Sequence, residues 1–102
     1  KVLKDYQGRD VRLTDERLAH ILEHPEMANL EAALEETLRD PKLVIQSRSD
    51  PNAELSYRFY VGTMVGDKWL CVVVKYAAND AFVVTAYLTD KPKKGEQLWP
   101  NK

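Results

Sequence analysis

The chain has 102 residues, of which 44% are hydrophobic and 30% are charged. This composition is typical of one globular domain and excludes a disordered or low-complexity protein. No apolar run reaches the roughly 18 residues that a membrane helix requires, so we expect no membrane association and a cytoplasmic location. The single cysteine, Cys71, excludes an internal disulfide and a cysteine zinc cluster, and we interpret it as a core residue. Because the chain begins at Lys1 rather than at methionine, we expect a segment of a longer polypeptide.

The net charge of −1 is unevenly distributed along the chain. Residues 14–40 hold eight acids against two bases, whereas residues 41–102 hold nine bases against six acids. A total so close to zero is unusual for a nucleic-acid-binding domain. The distribution indicates that a polyanion would contact the C-terminal part and avoid the acidic helices.

The N-terminal part is predicted to form a short extended hairpin over residues 1–13 and two helices over residues 14–40. Thr14 is a typical N-cap residue, followed by two acids in the first turn. Pro25 pushes the residue before it out of the helical region, so the first helix should end near His24. The second helix should stop before Pro41.

From residue 42 the hydrophobic period changes from that of a helix to that of a strand. Turn-forming residues separate four segments rich in β-branched and aromatic residues, namely "KLVIQSR", "ELSYRFYVGT", "KWLCVVVKY" and "AFVVTAYLT". We therefore predict a single α+β domain over residues 1–102. In it, two N-terminal helices pack on a four-stranded antiparallel β-sheet, a meander over residues 42–89, with the N-terminal hairpin at one end and a basic tail over residues 90–102.

The expected turns also predict which strand residues lie opposite one another. Two-residue loops at residues 66–67 and 79–80 would place Arg58 opposite Lys75, and Lys75 opposite Val84. Arg58 and Lys75 would then form a cationic pair on one face of the sheet. Thr85 and Tyr87 would lie on the other face, which is apolar enough to receive the helices.

The stretch "HILEH", residues 20–24, places His20 and His24 four residues apart. The pattern H-x-x-E-H also occurs in zinc proteases, where both histidines bind the metal and the glutamate is the base. Pro25 argues against that geometry, since it ends or kinks the helix at the second histidine. On a helical wheel both histidines share a polar stripe with Arg17, and His24 lies beside the buried stripe. A zinc site, an acid–base site and an ordinary helix surface remain three alternatives.

A family resemblance bears on this choice. The segments "RLTDERLAHILEHPEM", "VIQSRSDP", "YRFY", "WLCVVVKY" and "AFVVTAYLTDKPKKGEQLW" together resemble the phage-type branch of the barnase–EndoU–colicin–RelE-like nucleases. The resemblance covers nearly the whole chain and implies helices followed by an antiparallel sheet. It also implies a metal-independent ribonuclease without a cofactor, in which a base deprotonates the ribose 2′-hydroxyl and an acid protonates the leaving 5′-oxygen. The expected products are a 2′,3′-cyclic phosphate and a 5′-hydroxyl.

The resemblance also implies roles for particular residues. His20 and His24 are the expected base and acid, in either order, and Arg58 and Lys75 are expected to hold the scissile phosphate. Two further residues are expected to hydrogen-bond the phosphate through their hydroxyl groups: Thr85 and Tyr87. Five basic residues are expected to contact the RNA backbone: Arg17, Arg48, Lys91, Lys93 and Lys94. The predicted strand pairing puts Thr85 and Tyr87 on the face opposite Arg58 and Lys75, so a bulge or an odd loop must reset it, or only one pair is catalytic.

Two other functions compete with an RNA-cleaving toxin or effector domain. One is a non-catalytic module that binds RNA or protein, which the near-zero charge favours. The other is a zinc hydrolase. The acidic helices also suggest a basic antitoxin or immunity protein as a partner, although charged helix exteriors are usually only solvated.

Overall fold

The computed structural model describes residues 1–101, which form two α-helices and seven β-strands. Lys102, the last residue of the predicted tail, lies outside the described residues. The helices are α1 (Asp15–Leu22) and α2 (Glu31–Arg39), and a 3₁₀ turn (Pro25–Met27) lies between them. The strands are β1 (Val2–Lys4), β2 (Asp10–Arg12), β3 (Leu43–Gln46), β4 (Ala53–Thr63), β5 (Gly66–Ala77), β6 (Asp80–Thr89) and β7 (Gln97–Trp99).

Local signals account for the bounds of the first helix. The Thr14 hydroxyl oxygen accepts a hydrogen bond from the Arg17 amide at 3.1 Å, so Thr14 is the N-cap as predicted. The helix ends at Leu22, and His24 adopts an extended backbone (φ −70°, ψ 122°) because it precedes Pro25. The two histidines therefore do not lie on one continuous helix.

The predicted four-stranded antiparallel sheet is wrong. The sheet has seven strands in the order β1-β2-β6-β5-β4-β3-β7. It is mixed, because β2 pairs with β6 in parallel while every other neighbouring pair is antiparallel. The chain is a strand-rich α+β fold whose sheet curls into a half-barrel.

The three additional strands come from segments that the local pattern did not identify as parts of the sheet. β1, β2 and β7 have three residues each, which is too short to show the alternation typical of a strand. The parallel pair consists of Arg12 beside Phe82, and β7 lies beside β3 from the opposite end of the chain. Such pairings between distant segments depend on tertiary packing.

The curl of the sheet brings its two ends together. Tyr6, in the turn of the β1–β2 hairpin, and Trp99, in β7, belong to opposite ends of the strand order. Their ring centroids are nevertheless 5.9 Å apart, and the Tyr6 hydroxyl also donates to Glu54 Oε1 at 3.1 Å. The N-terminal hairpin is thus packed against the rest of the sheet.

The predicted strand pairing is wrong as well. Arg58 lies opposite Leu70, and Lys75 lies opposite Ala53 on one side and Phe82 on the other. Thr63 pairs with Gly66, so the β4–β5 turn comes earlier than the sequence suggested, and a bulge follows Tyr60 in β4. Every cross-strand pair in the hairpin is displaced as a result.

A second bulge decides which face Thr85 and Tyr87 occupy. Val74 pairs with Val83, but Val73 pairs with Thr85, so one extra residue of β6 is accommodated here. Without that extra residue the alternation would turn Thr85 to the opposite face. The bulge places Thr85 and Tyr87 on the same face as Lys75, which removes the conflict in the predicted pairing.

The sheet has apolar residues on both faces. The helices cover one face, which we call the helix face, and their core there contains Ile21, Met27, Leu34, Leu38, Leu70, Val72, Val74 and Val83. The other face, here called the second face, carries a smaller core made of Ile45, Leu55, Tyr57 and Cys71, with Trp69, Val73 and Tyr87 packed against it. The C-terminal tail crosses this second face, where the Lys93 amide donates to the Tyr57 hydroxyl at 3.0 Å.

Candidate functional site

A small pocket lies along the edge of β6, beside the 3₁₀ turn. β2 pairs with β6 only at Phe82, so the edge of β6 beyond that residue is not covered by β2. The pocket has a volume of about 130 Å³ and is called the His24 pocket here. It is lined by His24, Glu26, Met27, Thr85, Ala86, Tyr87 and Leu88. Three of the predicted catalytic residues, His24, Thr85 and Tyr87, therefore come together.

The 3₁₀ turn holds His24 and Glu26 against β6. Met27 is only 2% exposed and anchors the turn in the helix-face core. Its amide donates to the His24 carbonyl at 2.8 Å, which closes the turn. His24 itself remains accessible, with 67% of its side chain exposed.

Glu26 lines the His24 pocket, although the sequence analysis did not identify it as a candidate. Its Oε1 atom is buried and has no hydrogen-bond partner among the residues described, although 36% of the side chain as a whole is exposed. The same Oε1 atom lies 4.0 Å from His24 Nδ1. A carboxylate oxygen withdrawn from water without a partner costs about 1–3 kcal/mol or more, so its presence calls for an explanation. The "HPE" sequence, residues 24–26, places this glutamate two residues after His24, but in an acid-rich segment it could not be told apart from the other acidic residues.

His20 lies outside this pocket. It lines a shallow depression of about 280 Å³ together with Thr14, Glu16 and Arg17. Its side chain is 66% exposed, and its Nδ1 atom lies 3.5 Å from Glu23 Oε2. The structure brings Arg17 and His20 together but does not bring His20 into the pocket that holds His24.

Arg58 lies on the helix face, separated by the sheet from Lys75. Its Nη1 atom donates to the Asp40 carbonyl at 2.7 Å, and its Nε atom lies 3.4 Å from Glu36 Oε1. The predicted cationic pair of Arg58 and Lys75 does not form, because the turn displaces the pairing of β4 with β5. Arg58 instead ties β4 to the end of α2.

Lys75 lies on the second face, at the end of the sheet where residues 47–53 connect β3 to β4. Its ammonium group is 2.9 Å from Asp50 Oδ2. The hydrogen bond from Lys75 lowers the pKa of the Asp50 carboxyl, and the Asn52 amide, which donates to the same side chain, lowers it further. Lys75 thus shares a face with Thr85, but it does not line the His24 pocket and already has an acidic neighbour.

The Tyr87 hydroxyl points into the second core. Tyr87 pairs with Cys71 across β6 and β5, and Cys71 pairs with Tyr57 across β5 and β4. The hydroxyl is buried without a hydrogen-bond partner in the described part of the chain. Burial raises the pKa of Tyr87, and the neighbouring Cys71 and Tyr57 raise it further. Burial also raises the pKa of the Cys71 thiol to about 11, so Cys71 is not a reactive thiolate at neutral pH.

A second pocket gathers three of the predicted substrate-binding cations. It has a volume of about 360 Å³ and is called the cation pocket here. It is lined by Gln46, Ser47, Arg48, Ser49, Leu55, Lys93 and Lys94. Arg48 comes from the turn after β3 and the two lysines from the C-terminal tail, so this pocket exists only in the folded chain.

The family assignment agrees with these observations. A family model described as phage-Barnase-EndoU-ColicinE5/D-RelE like nuclease 2, abbreviated PBECR2, matches residues 1–99. The chain belongs to this family. The resemblance seen in the sequence is confirmed, and membership of a nuclease family supports a nuclease role. No curated protein and no solved structure matches the chain.

Lys91, the remaining predicted RNA contact of this PBECR2 domain, does not line either of the two pockets. Its side chain is exposed, and its carbonyl accepts a hydrogen bond from the Thr89 hydroxyl at 3.2 Å. Arg17 lies with His20 near the start of α1. The predicted RNA contacts therefore divide into a group of three and two separate residues.

The PBECR2 domain does not present its H-x-x-E-H stretch as a zinc-protease helix would. α1 ends before His24, so the two imidazoles lack the fixed spacing of one helical turn. Within residues 1–101, no three histidine, cysteine or acidic side chains come close enough to ligate one metal ion. Neither α1 nor α2 in this described range has the length and apolar character needed to cross a membrane.

Proposed function

We propose that this PBECR2 domain is a metal-independent endoribonuclease whose reaction takes place at the His24 pocket. The observation that supports the proposal is the meeting, at one strand edge, of an imidazole, a carboxylate oxygen that has no hydrogen-bond partner within residues 1–101, and the hydroxyl-bearing residue Thr85. Acid–base cleavage of RNA requires one group that accepts a proton and another that donates one. His24 and Glu26 supply these two chemistries side by side.

In the proposed reaction, Glu26 accepts the proton of the ribose 2′-hydroxyl as that oxygen attacks the adjacent phosphorus. His24 in its protonated form donates a proton to the 5′-oxygen as the bond from phosphorus to that oxygen breaks. The products are a 2′,3′-cyclic phosphate and a 5′-hydroxyl. The Thr85 hydroxyl is proposed to hydrogen-bond a phosphate oxygen, and the charge of Lys75 to stabilise the phosphate from the same face.

His20 keeps a secondary role in this proposal. It lies with Arg17 on the surface of α1, so the two would contact the RNA rather than exchange a proton at the scissile bond. This replaces the expectation that His20 and His24 form the acid–base pair. Replacing either group of a true acid–base pair should slow cleavage by a factor of about 10²–10⁴.

The test is cleavage of a single-stranded RNA by the purified domain in EDTA. We expect the wild-type protein to remain active, and His24→Ala and Glu26→Gln each to lose at least about 100-fold in rate. His20→Ala should lose less than either. Glu35→Gln removes a carboxylate on α2 that is 44% exposed and lies outside both pockets, so it serves as the matched control, with an unchanged rate.

The substrate provides a second control. An oligonucleotide with 2′-deoxyribose at the scissile position lacks the nucleophile and should resist cleavage, and mass spectrometry should find a cyclic phosphate on the RNA product. Activity that EDTA abolishes, or equal cleavage of the deoxy substrate, would contradict the mechanism. If no RNA is cleaved but RNA is bound, the domain is a binding module on the same fold.

A further inference from the structure

We propose that the cation pocket binds a phosphate of the RNA strand away from the scissile bond, so that the domain prefers longer oligonucleotides to dinucleotides. The proposal rests on the proposed ribonuclease function and adds a second anion-binding position to it. Three observations support it: the charges of the pocket, the way its walls are held, and its position relative to the His24 pocket.

Within residues 1–101, no carboxylate forms an ion pair with the cations of this pocket. Seven other lysine and arginine side chains of residues 1–101 form ion pairs, which include Lys75 with Asp50 and Arg58 with Glu36. Arg48, Lys93 and Lys94 form none within the same range. Asp50, which follows Arg48 in the same turn, forms its ion pair with Lys75. Three positive charges and two serine hydroxyls in one recess suit a phosphate group, which accepts several hydrogen bonds.

One wall of the pocket, the turn that carries Arg48, is held by the Gln46 side chain. Its Nε2 atom donates to the carbonyls of Ala53 at 2.8 Å and Pro51 at 3.0 Å. The Asp50 amide also donates to the Ser47 hydroxyl oxygen at 3.2 Å. These internal hydrogen bonds fix the turn that carries Arg48.

The other wall, the tail that carries Lys93 and Lys94, is held at both ends. The Lys93 amide donates to the Tyr57 hydroxyl, and the Gln46 amide donates to the Glu96 carbonyl at 2.8 Å. At Gly95 a Cβ atom would stand 2.6 Å from the Gln46 carbonyl oxygen, so only glycine permits this approach. Because both walls are preorganised, less conformational entropy is lost when an anion binds.

The sheet connects the two pockets. Leu55, in the cation pocket, lies opposite Val73 in β5, and Val73 lies opposite Thr85, which lines the His24 pocket. Two strand spacings separate Leu55 from Thr85, or about 10 Å. A phosphodiester chain held at the His24 pocket must therefore extend across β5 before another phosphate reaches Arg48 and the lysines.

The experiment compares the cleavage of a dinucleotide with that of a single-stranded oligonucleotide that contains the same scissile step. The oligonucleotide has about eight nucleotides, a length within the range of single-strand binding sites. We expect the wild-type kcat/KM to be at least about tenfold higher for the oligonucleotide. The double variant Arg48→Ala/Lys94→Ala should lose most of this advantage and leave dinucleotide cleavage unchanged. The slope of log affinity against log salt, measured with the 2′-deoxy oligonucleotide, should fall by about 0.7 for one lost phosphate contact.

The matched control is Arg39→Ala/Lys42→Ala, which removes the same charge outside both pockets and should leave both substrates unaffected. If Arg48→Ala/Lys94→Ala slows both substrates equally, or neither, while His24→Ala abolishes cleavage, the subsite is wrong and the ribonuclease stands. If the wild type cleaves nothing, the ribonuclease proposal fails, and the affinity for the 2′-deoxy oligonucleotide still tests the cation pocket. The pocket proposal is overturned if the wild type and Arg48→Ala/Lys94→Ala bind that oligonucleotide equally well. It is also overturned if the double variant weakens the binding of inorganic phosphate alone.

Discussion

At the scale of single residues, the fold depends on one buried carboxylate that joins the N-terminal hairpin to the sheet. Asp5 is 2% exposed and accepts four hydrogen bonds: from the amides of Gln7 and Arg9, from Arg9 Nε at 2.7 Å, and from the Tyr76 hydroxyl at 2.7 Å. The Arg9 guanidinium also lies over the Tyr76 ring, 4.1 Å from its centroid. Burial raises the pKa of Tyr76, and the hydrogen bond to Asp5 raises it further.

We predict that Asp5→Ala destabilises the domain by about 3 kcal/mol, because it leaves Arg9, Tyr76 and two amides without their shared acceptor. Urea denaturation gives the free energy of unfolding. Asp10→Ala removes a nearby carboxylate whose ion pair with Lys4 is exposed, and should cost no more than about 1 kcal/mol. Equal effects of the two variants would show that the buried network contributes no more than a surface ion pair.

At the scale of elements, short segments determine the candidate sites. β7 and the tail before it bring two lysines to Arg48, and the bulge in β6 brings Thr85 and Tyr87 to the face of Lys75. Neither the three-residue strand β7 nor the bulge leaves a local pattern comparable with the alternation that identified β3 to β6. The same extended tail covers part of the second core, so it serves both stability and the proposed RNA contacts.

We predict that Gly95→Ala detaches the tail, since the new Cβ would stand 2.5 Å from Ile45 Cγ2 as well as against the Gln46 carbonyl oxygen. Such crowding typically costs about 1–3 kcal/mol. Hydrogen exchange of the Gln46 amide, which bonds to Glu96, should accelerate. Gly8→Ala adds the same atom at a turn with φ +79° and no neighbour within 4 Å, so it should destabilise without accelerating that amide. Unchanged exchange in Gly95→Ala would mean that the tail tolerates the displacement.

At the scale of the whole molecule, charge couples the segments that the topology brings together. Arg12 in β2 binds Asp80 at the start of β6 through two hydrogen bonds, of 3.2 and 2.7 Å, beside the parallel pair. The hydrogen bond from Arg12 lowers the pKa of Asp80, and the one from Tyr60 lowers the pKa of Glu36. A carboxyl group with a lowered pKa in the folded state stabilises that state only while it is ionised.

We therefore predict that stability falls as the pH falls below about 4.5, the ordinary range of these carboxyl groups in the unfolded chain. Stability falls with falling pH because the carboxyl groups of the unfolded chain take up protons at a higher pH than those of the folded chain. Thermal unfolding between pH 6 and pH 3 measures the loss. Asp80→Asn should be less stable at pH 6 and should lose less on acidification; a parallel decline in both proteins would rule out a contribution from Asp80.

The sequence alone determined the features that depend on neighbouring residues and on family membership. The N-cap at Thr14, the break at Pro25, the N-terminal hairpin and the alternation in β3 to β6 all follow from local backbone preferences. The PBECR2 assignment followed from motifs spread along the chain, and His24, Thr85 and Tyr87 were among the residues those motifs indicated.

Four features became known only from the tertiary structure. Two concern the sheet: its seven strands and the separation of Arg58 from Lys75. The other two are the position of Glu26 in the His24 pocket and the formation of the cation pocket. Each of these depends on contacts between distant segments or on a one-residue change in strand pairing. A bulge reverses the face of every later residue in its strand. Because a bulge forms through the pairing of two strands, the residues around it show no local pattern that predicts it.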